Sequence, residues 1–157
     1  GEAAYERLLI GVGSAGLQVG ESLPAFEAQA IDGTAVSQAS LAGTKSVVTS
    51  VTPYCGSCYD ATVALMKNAY KTGNGKWRLV VIASTTKDDE RLKALIKDLP
   101  VGTLVIADAD QTLSHKLYMY ASPYVAMLDA SGRVQYRGSG YKLDDAARAA
   151  SELAALP

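Results

Sequence analysis

Residues 51–66 read VTPYCGSCYDATVALM and hold both cysteines of the chain, Cys55 and Cys58, with two small residues between them. Ahead of them runs SVVTSVT (46–52), β-branched and apolar at most positions, the composition of a central strand covered on both faces. It stops at Pro53. From Cys58 onward Val63, Leu65, Met66 and Tyr70 keep helical spacing until Gly73 and Gly75, residue types that end helices. The cysteines are therefore predicted at a strand-to-helix junction.

The same alternation continues on both sides. Downstream, RLVVIAS (78–84) reads as a strand and KDDERLKALIKDL (87–99) as an amphipathic helix with Leu92, Leu95, Ile96 and Leu99 on one side, closed by Pro100 and Gly102. TLVIA (103–107) is a third strand, leading through Asp108-Ala109-Asp110 into a predicted helix QTLSHKLYMY (111–120) that Asp110 is placed to cap. After Ser122-Pro123 come strand YVAMLD (124–129), a turn, strand RVQYRG (133–138) and a last helix over 144–154. Upstream, Pro24 and Phe26 open an extended segment that turns at Asp32-Gly33 and returns as Thr34–Ser37, an N-terminal hairpin. Residues 1–20 lack a sustained period and are read as an arm or short helix before a domain over 21–157. Strands alternating with helices, then a closing hairpin and helix, predict an α/β fold: a mixed sheet with helices on both faces.

Composition sets the outer limits. With 157 residues, 48% apolar and 20% charged, the chain suits one domain with a full core. Fifteen basic against sixteen acidic residues leave a formal charge of −1, no field to draw in a polyanion, so nucleic acid is not an expected partner. No run reaches the roughly 18 apolar residues that span a bilayer. The opening Gly-Glu-Ala-Ala has neither an initiator methionine nor a secretory signal layout, as in a fragment trimmed from a longer precursor.

The cysteine pair admits three readings. As a structural staple it closes so short a loop that it removes little entropy from the unfolded chain. As a zinc grip it lacks partners, since there is no other cysteine and the one histidine, His115, is distant. As a redox couple it is well placed: a sulfur at the first turn of a helix faces unpaired N–H groups and the positive end of the helix dipole, which favour thiolate over thiol. Cys55 then serves as the nucleophile that forms a mixed disulfide, and Cys58, three residues on, as the resolving thiol.

Strand, aromatic, C-x-x-C, long helix, then a proline directly before a strand and its hairpin resembles the thioredoxin fold. Leu23-Pro24-Ala25-Phe26, Asp32-Gly33, the 51–66 segment, Asp108-Ala109-Asp110 and ASPYVAMLDASGRVQYRGSGY (121–141) resemble the exported thioredoxin-like reductases of the TlpA and ResA group, and more narrowly the methylamine-utilisation accessory thioredoxins. The likeness runs over about residues 18–153. It implies a thiol–disulfide oxidoreductase acting on protein thiols and disulfides, without cofactor or metal, outside the cytoplasm, fed by a membrane-bound electron donor and tethered by an N-terminal segment lying outside this sequence. By position it implies that Pro123 is the cis-proline beside the disulfide and that Ser122 offers its backbone to a substrate strand; the alternative is an ordinary trans proline opening an edge strand. Tyr54 stands where thioredoxins commonly carry tryptophan and is counted with the substrate-binding residues, alongside Tyr59 and Tyr124 as further rim candidates. Thr49 stands where thioredoxin carries a buried aspartate, and a threonine hydroxyl is no general base near neutral pH.

Other functions compete. Thr52-Pro53-Tyr54-Cys55 matches the T-x-x-C of peroxiredoxin-like thiol peroxidases, but Val48 and Pro123 fall where that family carries a proline and a peroxide-polarising arginine. A copper-delivery module of this fold uses C-x-x-x-C, one residue wider than the pair here, and a histidine that His115 does not obviously match. A binding domain whose disulfide never turns over is the fourth reading. GVGSAG (11–16) fits G-x-G-x-x-G by letter, without a full strand before it or a helix before Pro24, and Asp108 and Asp110 lack the rest of a calcium loop.

Overall fold

A computed structural model of the chain describes residues 17–139 and 142–157. The G-x-G-x-x-G stretch and the arm up to residue 16 lie outside the described residues. The elements in order are β1 (Glu27–Gln29), β2 (Ala35–Ser37), α1 (Gln38–Leu41), β3 (Ser46–Val51), α2 (Gly56–Thr72), β4 (Arg78–Ala83), α3 (Glu90–Asp98), β5 (Leu104–Ala107), α4 (Thr112–Lys116), β6 (Tyr124–Leu128), β7 (Val134–Ser139) and α5 (Leu143–Ala154). Five strands form one sheet in the order β5-β4-β3-β6-β7. β3, β4 and β5 run parallel, β6 runs antiparallel to β3, and β7 antiparallel to β6.

All six residues of β3 are buried, as its β-branched run requires of the central strand. Its side chains alternate between two cores. Val47 and Val51 pack with Cys58, Leu65 and Met66 of α2, Leu92 and Leu95 of α3, and Ala146, Ala150 and Leu153 of α5. Val48 faces the other way, with Val80, Ile82 and Ile106 of β4 and β5, Leu117 and Met119 after α4, and Leu17, Leu23, Phe26, Val36 and Leu41 from the N-terminal segment. Helices thus cover both faces, as the strand–helix alternation predicted. The β1–β2 hairpin adds to the second face.

That N-terminal segment also touches both edge strands of the sheet. Gly20 donates to the Val134 carbonyl at 2.7 Å and Val134 donates to the Glu21 carbonyl at 2.7 Å, which covers β7. Ile31 donates to the Val105 carbonyl at 2.8 Å and covers β5. Leu17, within the stretch read as an arm, is buried and donates its amide to the Tyr124 hydroxyl at 3.1 Å.

Two local readings need correction. The helix predicted over 111–120 is α4, Thr112–Lys116, and the chain leaves helical geometry at Tyr118, whose φ is +60°. Asp110 accepts from the Thr112 amide at 3.1 Å, at the first helical residue, whereas the buried Asp108 carboxylate accepts from Leu113 at 3.0 Å and Ser114 at 2.9 Å. The side chain that caps α4 is therefore Asp108, four residues before its first residue.

Candidate active site

The chain emerges from the C-terminal end of β3 into Thr52-Pro53-Tyr54 and enters α2 at Cys55. Cys55 is the N-cap, with extended backbone (φ −84°, ψ 108°), and its Sγ accepts a hydrogen bond from the Cys58 amide at 3.2 Å. Sulfur here takes the place that a serine or aspartate oxygen fills in ordinary caps. The first turn of α2 contains no acidic residue to oppose a negative charge on that sulfur. Cys55 and Cys58 form a disulfide, with Cα atoms 5.1 Å apart. Cys55 is half-buried, and Cys58 is only 7% exposed. Gly56 and Ser57 are exposed, and the Ser57 hydroxyl lies 3.5 Å from Cys55 Sγ.

Strand register brings Ser122 and Pro123 to the same place. Ser50 of β3 pairs with Tyr124 of the antiparallel β6, so two residues further along β3 meet two residues earlier on β6. Accordingly the Thr52 amide donates to the Ser122 hydroxyl at 2.8 Å. The Ser122–Pro123 peptide is cis. Pro123 is buried, while Ser122 is exposed beside the loop that leads to Cys55. Thr49 is fully buried and gives its hydroxyl proton to the Tyr124 carbonyl at 2.8 Å. Tyr124 itself belongs to the core, which removes it from the rim. His115 is exposed, with its ring 5.9 Å from that of Tyr120. Among the described residues no group of three or more His, Cys, Asp or Glu side chains is arranged to hold a metal ion.

Tyr54 is 68% exposed, and its hydroxyl donates to the Asp89 carboxylate. The bond raises the tyrosine pKa and lowers that of Asp89, because it favours neutral phenol and ionised carboxylate. Asp89 also caps α3 through the Leu92 amide at 2.9 Å. Two residues on, Arg91 Nε donates to the Pro53 carbonyl at 3.1 Å, and its guanidinium lies 4.1 Å above the Tyr59 ring. The Tyr59 hydroxyl donates to Asp98 at 2.6 Å, and burial, with that bond second, pushes the phenol up to about 12. Asp89, Arg91 and Asp98 were not found from sequence, where they read as the solvated side of an amphipathic helix. The available clue was topological: α3 follows β4, and the C-terminal ends of parallel neighbours open on one side of the sheet.

The Redoxin family pattern matches residues 18–153, and the chain belongs to that family. Comparison with curated proteins finds no match. Among solved structures the chain is similar to Mycobacterium tuberculosis DsbF, seen in mixed oxidised and reduced forms, at 22% identity and a TM-score of 0.67, over 82% of this chain and 94% of that one. A secreted Mycobacterium tuberculosis disulfide oxidoreductase homologous to DsbE aligns at 21% identity and a TM-score of 0.65, covering 82% and 96%. The thioredoxin domain of a Bacteroides vulgatus thiol–disulfide oxidoreductase aligns at 18% identity and a TM-score of 0.70, covering 88% and 99%. At such identities these likenesses establish the thioredoxin-like fold.

Proposed function

We propose, from the redoxin family and the cysteine junction together, that this enzyme is a thiol–disulfide oxidoreductase exchanging its Cys55–Cys58 pair with protein thiols and disulfides. One observation carries the reading: the bonded pair sits at the amide-lined start of a 17-residue helix, one sulfur capping it and the other covered. In the reduced protein Cys55 thiolate attacks one sulfur of a partner disulfide. A Cys55–partner bond forms as the partner's own S–S bond breaks, and the departing sulfur leaves as thiolate and is protonated by water. Cys58, once deprotonated, attacks Cys55 Sγ, restoring the internal disulfide and releasing the partner's second thiol. Two electrons have then passed to the partner, and the reverse sequence returns them.

In this reading Ser122 offers backbone to the partner strand, Pro123 packs beside the sulfurs, and the exposed Tyr54 ring gives the partner an apolar surface. Thr49 does not supply the base for Cys58. The peroxidase reading is less supported, since Pro123 occupies the place of the arginine that would polarise peroxide. We place the protein outside the cytoplasm with its electron donor in the membrane; likeness to a secreted oxidoreductase supports the first of these. No helix among the described residues is long and apolar enough to cross a membrane.

The test is trapping. Reduced Cys58→Ser protein mixed with a disulfide-bonded protein accumulates a mixed disulfide at residue 55 that dithiothreitol releases, and Cys55→Ser forms none. Equal adduct in both variants, or none in either, contradicts the reading.

A further inference from the structure

The loop that delivers Cys55 is held from the side by the first turn of α3. Asp89 takes the Tyr54 hydroxyl and Arg91 takes the Pro53 carbonyl at 3.1 Å, so the two residues before Cys55 are each tied to the same helix. The two ties differ in charge. The Asp89 carboxylate is occupied by its cap bond and by the tyrosine, whereas among the described residues no carboxylate forms an ion pair with Arg91. The residue is half-buried, with its guanidinium over the Tyr59 ring. Pro53 lies two residues from Cys55, and two residues of chain span at most about 7 Å, which puts the positive charge on the order of 10 Å from the Cys55 backbone, about one screening length.

We infer that Arg91 is a positioning residue for the Cys55 thiolate: it fixes the Pro53 carbonyl and supplies, from outside α2, a permanent positive charge that favours the ionised sulfur. The inference rests on the exchange reading and adds to it a second source of thiolate stabilisation beyond the helix start. Arg91 can hold this role at any working pH because guanidinium does not deprotonate in proteins. Among the described residues, the other titratable or charged groups that contacts tie to the junction are Tyr54 on the loop, Cys58 and Tyr59 on α2, and Asp89 and Asp98 on α3, with Asp60 next to Tyr59. From the cis-proline loop Ser122 faces the junction and does not titrate. Carboxylates on this side work against a thiolate, so the one guanidinium that the described residues place on the loop before Cys55 has a direct electrostatic consequence.

Three substitutions separate charge from tether. Arg91→Met keeps the apolar stem over Tyr59 and removes both charge and donor; Arg91→Gln keeps a donor without charge; Arg91→Lys keeps the charge. The readout is thiolate absorbance at 240 nm of the fully reduced protein against pH, with the equilibrium against glutathione, after near-ultraviolet circular dichroism verifies native packing. Arg91→Met and Arg91→Gln should raise the Cys55 pKa by about half to one unit and shift the glutathione equilibrium about three- to tenfold toward the disulfide, with Arg91→Lys close to the parent. Should Arg91→Met fail to fold, the Gln and Lys pair decides alone. A parent pKa well below that of free cysteine that stays put in Arg91→Gln overturns the role of Arg91 and leaves exchange standing. A parent value equal to free cysteine overturns both.

Discussion

At the scale of single residues, two side chains decide how helices start, one unusual in its chemistry and the other in its position. Cys55 caps α2 with sulfur, so the atom that satisfies the helix in the disulfide form is the atom proposed to react when reduced. Asp108 caps α4 across Gln111, which adopts a left-handed conformation with φ +62° and folds the chain back over the carboxylate. Removing a buried acceptor of two amides leaves both donors unpaired, so Asp108→Ala should cost about 1–3 kcal/mol in urea unfolding. Asp110→Ala, losing one exposed contact, should cost less than about 1 kcal/mol; equal costs would return the cap to Asp110. The paired roles proposed for the cysteines were legible because a strand and a helix declare themselves on either side of them. Asp89 and Arg91 were not, because their partners Tyr54 and Pro53 lie 35 and 38 positions away and no local pattern links them.

At the scale of elements, period and burial explain both what was readable and what was not. SVVTSV has neither polar alternation nor helical spacing, and it forms the centre of the sheet with every residue buried. In α3 Leu92 and Leu95, and Leu99 at its C-cap, are buried as their spacing requires, whereas Ile96 stays 37% exposed at the margin of the same face. The stretch 111–120 misled because Leu113 and Leu117 are four apart, the signature of a helix face. Yet Leu117 and Met119 are both buried in one core, and in a continuous helix residues two apart point roughly 200° from each other. The chain resolves that conflict by leaving the helix at Leu117 and turning through Tyr118. α1 was missed for a different reason: it is one turn long, and its reciprocal cap joins Ser37 to Ser40 where a glutamate or glutamine is the recognisable partner.

At the scale of the whole molecule, one antiparallel neighbour added to a parallel sheet assembles the site. β6 returns beside β3, and its first residues arrive where β3 hands over to α2. Among the described residues, charge acts on the fold through four carboxylates held below their ordinary value. For Asp32 the Thr34 amide is the main cause, for Asp89 the Tyr54 hydroxyl, and for Asp110 the Thr112 amide. For Asp129 burial works upward and is outweighed by bonds from Ser131, Arg133 and Gln135. A depressed folded pKa gives stability that is complete above the unfolded value and lost as pH falls through the folded one. Their contribution to the urea midpoint should therefore be flat from about pH 7 to 5 and decline below about pH 4; a midpoint at pH 3 equal to that at pH 7 would show that these bonds contribute nothing. The central proposal, however, is a reactive sulfur at a helix start, and its most direct test is the rate of iodoacetamide alkylation of the reduced protein against pH, with the labelled residue identified by mass spectrometry. The expected result is labelling at Cys55 with a midpoint at least one pH unit below the roughly 8.5 of free cysteine. A midpoint at or above 8.5, or first labelling at Cys58, would contradict it.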